Sequence, residues 1–443
     1  MNNKVSRAQK YTARLLRELN DIKRPIKVAA RESKIPNLHK ILSQKEPNLT
    51  HKEMSNISKK ISSIYPIPFS DLNRDEEDSK NGIKIDSVCQ DDGLVVKRNN
   101  SDYYRYRDLT MSKFAPFRPE YIEMLQSVET DNPLDPDVVY NRGHFLSQVT
   151  MFFGPVNFYY EINGKKMVQE MNTGDTNFIS PFVPHSFTKR DKTKEAFIVA
   201  VTFGGRAKRA LIDLERIPVN LNTLVKSKKD PVSFRKSRIE RYLQNEMITE
   251  DEFVKSCIAN DISVTRAFKI LNGGQPTNKE VNKISQIVKT NADALKLIPF
   301  NTQNIVCVQK YSPSDYRNWG KNMRIVPLSR NEHHDNVKTF MILLDGSSHS
   351  HNIQANLHTF LYNSGEGGEI TVTNLNEGEE FILKPRQSAY ISPMISFKFS
   401  NNQKKEQSVF MVRVPSSVDE ECIDELGTFH SIDRIRNENG EWF

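Results

Sequence analysis

Two spacings of apolar residues alternate along the chain and divide it before any single residue is considered. From residue 8 to residue 75 the spacing is helical, with Tyr11, Leu15, Leu16 and Leu19 falling on one face. Pro25 suits the first turn of a second helix, Ile26 to Glu32, where a missing N–H costs nothing. Asn37 stands where it would cap a short third helix through Leu38 and Leu42. The acidic stretch from Asp71 to Lys80 then reads as a linker. From about residue 85 the period drops to two, and strands are predicted at 93–98 and 103–107.

Residues 141–187 hold the densest chemistry. Read as a strand, the opening half puts His144, Leu146, Gln148 and Thr150 on one face. The closing half is a Gly174-Asp175 turn, an apolar strand, and a Pro184-His185 step that presents His185 at a strand end. Two imidazoles and one amide oxygen can then meet on one metal. A lone histidine would more simply be a core or surface residue; the pair favours the metal.

The second half of the chain echoes the first. Lys269-Ile270-Leu271-Asn272 matches Lys40-Ile41-Leu42-Ser43, and Pro276 follows at the offset of Pro47. Lys279-Glu280 and Ile284-Ser285 match Lys52-Glu53 and Ile57-Ser58, and Ile391-Ser392-Pro393 echoes Ile179-Ser180-Pro181. The expectation is an α+β chain made of a duplicated unit, a helical domain followed by a β-barrel. Its parts are a helical domain at 1–75, a first barrel with the metal site at 85–215, a second helical domain at 236–300, and a second barrel at 301–443. The second barrel has His349, His351 and His358 but no histidine after Ile391 to match His185, so it is expected to lack a complete metal site.

Composition narrows the class only slightly. At 443 residues, with 37% hydrophobic and 27% charged, the chain is long enough for several folded domains. No apolar run approaches a membrane span, and the N-terminus lacks the apolar core of a signal peptide, so a cytoplasmic protein is expected. Cys89, Cys257, Cys307 and Cys422 are scattered and read as reduced structural thiols. A net charge of +8 permits either nucleic acid or a small anionic substrate and chooses neither.

The order of the pieces resembles a cupin. In the first cupin motif Arg142 takes the first His position, His144 the second, Gln148 the Glu position and Gly154 the Gly; Gly174, Pro181 and His185 fit the second motif. The N-terminal rhythm resembles helical domains of the phage-repressor type. Its third helix has His39, Lys40 and Lys45 but no row of Arg, Asn and Gln ready to read bases.

A metal cupin behind such a domain, with the unit doubled, resembles the iron-dependent dioxygenases that act on 2-hydroxyethylphosphonate, over nearly the full chain. The resemblance implies Fe(II) held by His144, Gln148 and His185. It implies a phosphonate pocket of Arg98, Tyr106, Asn141 and Lys23, with Lys27 the second choice for the lysine. Family members that form hydroxymethylphosphonate carry a Glu ligand six residues before the second His, where this chain has Ile179. Members that form methylphosphonate use a Gln four residues after the first His, which is Gln148. The implied reaction cleaves the carbon–carbon bond with O2, giving methylphosphonate and a one-carbon product at the level of CO2, without 2-oxoglutarate. A homo-oligomer with no membrane or nucleic-acid partner completes the expectation.

Two alternatives remain open from the sequence. One is the sister activity, giving hydroxymethylphosphonate and formate. The other is a transcription regulator with a ligand-sensing cupin, against which the duplication counts. Each pocket residue also has a plainer reading: Arg98 with Lys97 as charged guards of a strand edge, Tyr106 as core, Asn141 as turn chemistry beside Gly143, and Lys23 as a solvated helix end.

Overall fold

The computed structural model describes residues 6–44, 47–74, 77–85, 93–204, 210–216, 218, 231–296, 305–319, 322–331, 337–365, 367–429 and 440. Cys89, Lys45, Asp75 and Glu76 lie outside them. The chain opens with α1 (Arg7–Asp21), α2 (Ile26–Ser33), α3 (Leu38–Ser43), α4 (His51–Ile64) and α5 (Phe69–Leu72). Capping boxes start α1 at Ser6 with Gln9, and α4 at Thr50 with Glu53, satisfying N–H groups that have no partner within the helix. Leu15, Leu19, Leu38, Leu42, Ile57 and Ile61 close a core of their own. Asn37 does not cap α3. Its backbone is left-handed, at φ +60°, which turns the side chain away from the N–H groups it would need to reach.

Ten strands follow: β1 (Ile83–Ile85), β2 (Leu94–Arg98), β3 (Ser101–Asp108), β4 (Phe117–Met124), β5 (Ser147–Phe153), β6 (Val156–Ile162), β7 (Lys165–Met171), β8 (Thr176–Ile179), β9 (His185–Lys189) and β10 (Phe197–Phe203). The second set of helices is α6 (Leu211–Arg216), α7 (Pro231–Asn245), α8 (Glu250–Ala259), α9 (Val264–Leu271), α10 (Asn278–Ile287) and α11 (Ala292–Lys296). Then come β11 (Val306–Gln309), β12 (Arg317–Asn318), β13 (Met323–Pro327), β14 (Lys338–Leu344), β15 (Ser348–His349) and β16 (Leu357–Asn363). The chain continues through β17 (Ile370–Asn374), β18 (Glu379–Leu383), β19 (Ser388–Ile391), β20 (Phe397–Asn401), β21 (Gln407–Pro415) and α12 (Glu420–Gly427).

The strands form four layers. Two seven-stranded sheets, ordered β11-β8-β5-β10-β4-β3-β2 and β1-β19-β16-β21-β14-β13-β12, lie back to back. Phe117, Tyr121, Val149 and Val199 of one pack on Phe360, Tyr362, Phe410 and Val412 of the other. Each large sheet is covered on its outer face by a smaller one, β7-β6-β9 in the first half and β15-β20-β17-β18 in the second. Tyr104, Phe152, Phe158 and Phe187 fill the first sandwich, and Leu361, Val372, Phe399 and Met411 the second.

Open, facing sheets therefore stand where closed barrels were expected. The cause is local. Between β5 and β6 stands Gly154-Pro155, and between β8 and β9 the chain reads Ser180-Pro181-Phe182-Val183-Pro184. Proline brings no N–H to a ladder, so pairing stops and the strand crosses to the smaller sheet.

The halves also exchange edge strands. β11 pairs with β8, setting Ile179 beside Val306, and β1 pairs with β19, setting Ile391 beside Ile83. One hop further in, Ile179 pairs with Gln148 and Ile391 with Thr359. The residues after Pro181 and Pro393 are both left-handed, Phe182 at φ +62° and Met394 at φ +66°.

Candidate metal centre

Alternation along β5 decides what enters the first sandwich. Val149, Met151 and Phe153 face the other half, so Gln148, Thr150 and Phe152 face inward between the large and small sheets. Gln148 is 4% exposed, flanked in register by Thr202 of β10 and Ile179 of β8. His185, also 4% exposed, is the first residue of β9.

His144 is not on the strand that the sequence suggested. It sits in the loop before β5, and the reason lies in that loop's contacts with the β8–β9 corner. The Asn141 N–H donates to His185 O at 3.0 Å, and the Phe182 N–H donates to His144 O at 2.8 Å. Gly143 lies between them at φ +73°, where an added Cβ would stand 2.4 Å from the Phe182 carbonyl carbon. Only glycine lets the two segments approach that closely.

This lacing brings the three predicted ligands together. His144 Nε2 is 3.1 Å from Gln148 Oε1, and the two imidazole rings lie 5.2 Å apart, nearly perpendicular at 80°. His144 Nδ1 faces Leu146 O, and His185 Nδ1 faces Val183 O at 2.8 Å. A carbonyl can only accept, so each Nδ1 carries a hydrogen, and each ring in its neutral form presents a lone pair at Nε2. Nε2 of His144 and Oε1 of Gln148 are then two acceptors facing each other, an arrangement that a shared cation would stabilise. Ligands on adjacent positions of a six-coordinate ion with ~2.1 Å bonds sit roughly 3 Å apart. Burial drives the pKa of His185 down to about 3, against the Val183 bond, and the charges of His144 and Arg98 push the same way as burial. His185 is thus neutral near pH 7, as a metal ligand must be. The donor set fits a divalent metal.

Of the predicted pocket residues, Asn141 bonds His185, Arg98 lies near enough for its charge to act on His185, and Tyr106 sits within reach of the Arg98 charge. Asn141 Oδ1 accepts from the His185 and Gly143 N–H groups, both at 2.9 Å. That fixes the amide and leaves its Nδ2 3.0 Å from His185 Nε2. Arg98 ends β2, donates to Val139 O, and lies over the rings of Tyr103 and Tyr104 at 5.0 and 4.8 Å. Tyr106 lies on β3, its ring 5.7 Å from that of Tyr104. Burial raises its pKa, and Glu120 adds to this while Arg98 opposes it, so the phenol stays a donor. Lys23 does not join them. It is exposed in the turn between α1 and α2, at φ +54°, and Lys27 is exposed on α2. Among the described residues no contact ties either lysine to Arg98, Asn141 or the three ligands.

The second sandwich is built differently at the matching positions. Its register puts Thr359, not His358, where the first has Gln148, and Phe397 stands six residues after Ile391, as His185 does after Ile179. His358 points to the interface between the halves and bonds the Tyr390 hydroxyl at 2.8 Å. His351 sits beside Trp319, and His349 is exposed. Among the described residues no three His, Cys, Asp or Glu side chains cluster to hold a metal. Sequence reasoning passed over Tyr103 and Tyr104, which cradle Arg98, and Asn177, a fully buried amide on β8. The one signal for Asn177 was an amide next to Phe178 and Ile179 in a four-residue strand that also holds Thr176.

Facing sheets led by helices, with two imidazoles and an amide oxygen gathered at one end, define a two-sandwich protein with a candidate three-ligand metal centre. No family model matches the chain. It is 30% identical over 447 residues to methylphosphonate synthase of Nitrosopumilus maritimus (strain SCM1), spanning 96% of this chain and 93% of that one. The chain belongs to the methylphosphonate synthase family. It is also 30% identical over 126 residues to (S)-2-hydroxypropylphosphonic acid epoxidase of Streptomyces wedmorensis, covering 26% of this chain and 61% of that one. Among solved structures, the HEPD of Streptomyces albus, holding 2-hydroxyethylphosphonate and Fe(II), superposes with a TM-score of 0.84 at 25% identity over 99% of both chains.

Proposed function

We propose that the chain is an Fe(II)-dependent dioxygenase that converts 2-hydroxyethylphosphonate and O2 into methylphosphonate, bicarbonate and one proton. The synthase and the HEPD named above support the iron and the substrate class. One observation carries the product: Gln148 is paired in register with Ile179, an amide facing the site where no carboxylate stands opposite.

In this reading His144, Gln148 and His185 hold the iron and leave the remaining positions to substrate and O2. The bound iron supplies the activation of O2 and the electron transfers that break the carbon–carbon bond. The side chains do the rest. All three ligands are neutral, so the site keeps its full positive charge for a dianionic substrate. Arg98, braced by two tyrosine rings and Val139 O, offers its remaining donors to phosphonate oxygens. Tyr106 donates a further hydrogen bond. Asn141 Nδ2 rests on the His185 lone pair, and with that lone pair given to a metal its N–H would be left for a phosphonate oxygen. Lys23 belongs to the pocket only if its helical unit moves or a second copy of the chain supplies it. A Lys23→Ala variant with an unchanged KM removes it.

The reading also takes the chain to be a doubled unit, each a repressor-like helical domain and a sandwich, with parts at 1–75, 85–215, 236–300 and 301–443. The paired registers at Ile179 and Ile391 support it. It takes the enzyme to be cytoplasmic and homo-oligomeric; among the described residues no helix is long and apolar enough to cross a membrane. The deciding test is anaerobic Fe(II) loading, then O2 and 2-hydroxyethylphosphonate, followed by phosphorus NMR. Methylphosphonate is the expected main product. Hydroxymethylphosphonate with formate would leave the iron site standing and overturn the product.

A further inference from the structure

We propose that Thr150 and Asn177 fix which end of the Gln148 amide faces the metal. The proposal rests on the reading of Gln148 as a ligand. A carboxylate presents an oxygen whichever way it is turned. An amide turned over presents NH2, which has no lone pair to give a cation. A glutamine ligand therefore needs an orienting partner that a glutamate does not.

The partner is next to it. Gln148 Nε2 donates to Thr150 Oγ1 at 2.7 Å, which leaves Oε1 toward His144 Nε2 at 3.1 Å. A hydroxyl alone does not settle the matter, because it can also donate and would serve the flipped amide equally well. What selects one orientation is the direction of the Thr150 hydrogen, and that hydrogen needs an acceptor elsewhere.

Asn177 is placed to be that acceptor. It pairs directly with Thr150 across β5 and β8 and faces the same interior, two residues before Ile179. It is 0% exposed, and neither atom of its amide has a hydrogen-bond partner. Directly paired residues have Cβ atoms about 5 Å apart, which one bridging water or a small side-chain rotation spans. Leaving a buried polar group unpaired costs roughly 1–3 kcal/mol, so the link also answers for the presence of Asn177. With the Thr150 hydrogen committed to Asn177 Oδ1, only lone pairs face Gln148, and only NH2 can turn toward them.

The neighbours do not compete. Thr202, on the other side of Gln148, donates its hydroxyl to Arg118 O at 3.1 Å, and Ile179 has no polar atom in its side chain. In the second sandwich, where Thr359 replaces the glutamine, the pair matching Thr150 and Asn177 is Leu361 with Ala389. The polar pair is found in the half that has an amide to orient.

The test is anaerobic Co(II) titration, followed by visible absorption, of the wild type, Thr150→Val and Asn177→Leu, each also in a Gln148→Glu background. Losing an outer partner of a ligand typically weakens metal binding by about 10–100-fold. That loss is expected for both variants when Gln148 is kept. In the Gln148→Glu background it should shrink to less than about twofold, since a carboxylate needs no orienting. Thr150→Ser, which keeps the hydroxyl, should bind as the wild type does, and this arm separates orientation from packing if the valine variant folds poorly. Equal losses in both backgrounds, or no loss with Gln148, overturn the proposal. If His185→Ala leaves Co(II) binding intact, the metal reading itself falls.

Discussion

At the scale of single residues, the site depends on positions that do no chemistry. Gly143 is one. Gly143→Ala forces a side chain into the Phe182 backbone and into a left-handed conformation at once, so His144 must move. Metal affinity should fall at least tenfold while the far-UV spectrum is preserved; unchanged affinity would show that the loop tolerates the shift. Ile179 is another. Ile179→Glu puts a carboxylate directly across from Gln148, within the same interior, and should change the ratio of methylphosphonate to hydroxymethylphosphonate by phosphorus NMR. An unaltered ratio at reduced turnover would separate the ligand set from the product choice. That His144, Gln148 and His185 come together was legible in the sequence, because the spacing of donor residue types along two strands predicts it. That His144 rides on a loop was not, because it follows from hydrogen bonds to a segment some forty residues away.

At the scale of elements, two junctions carry testable weight. α10 begins at a capping box, Thr277 with Glu280, and Arg266 from α9 reaches the same carboxylate with Nε and Nη2, both at 2.7 Å. The Arg266 hydrogen bonds, aided by Thr277 and opposed by partial burial, hold the Glu280 pKa at about 2 against an ordinary 4.5. A depressed carboxyl pKa stabilises the fold above the unfolded value and loses that contribution as pH falls from about 4.5 towards 2. Arg266→Ala should therefore cost about 1–3 kcal/mol near neutral pH and progressively less in acid, read by thermal melts across pH. A constant difference would place the effect in packing. The second junction is the strand exchange. Ile83 is fully buried in the second sandwich although its strand comes from before the first, so Ile83→Ala should cost ~2–5 kcal/mol in urea unfolding. The period-two stretches announced the strands β2 and β3 within a few residues, since alternation is local. Which sheet an edge strand joins is not local, and nothing near Ile83 or Val306 announces the exchange.

At the scale of the whole molecule, the two sandwiches have different interiors. One metal ion per chain is expected, and His349→Ala, His351→Ala and His358→Ala should leave that stoichiometry unchanged by elemental analysis. Loss of iron in any of them would move the site to the second half. The regulator alternative is answered at this scale as well. Binding to DNA fragments should be indifferent to sequence and fall steeply with salt, because a charge of +8 acts through phosphates alone.

By itself the sequence determined where helical spacing gives way to strand spacing, which motifs recur, which residue types can bind a metal, and the family that those motifs resemble. Each of these is carried by residue identity and by separation along the chain. The tertiary structure decided the rest. It opened the expected barrels into facing sheets, set Gln148 against Ile179 and Thr150 against Asn177, turned His358 out of the second interior, and left Lys23 in solvent. These are matters of register and approach between segments distant in sequence. A one-residue slip between two strands sends every side chain to the opposite face while leaving the pattern along each strand unchanged.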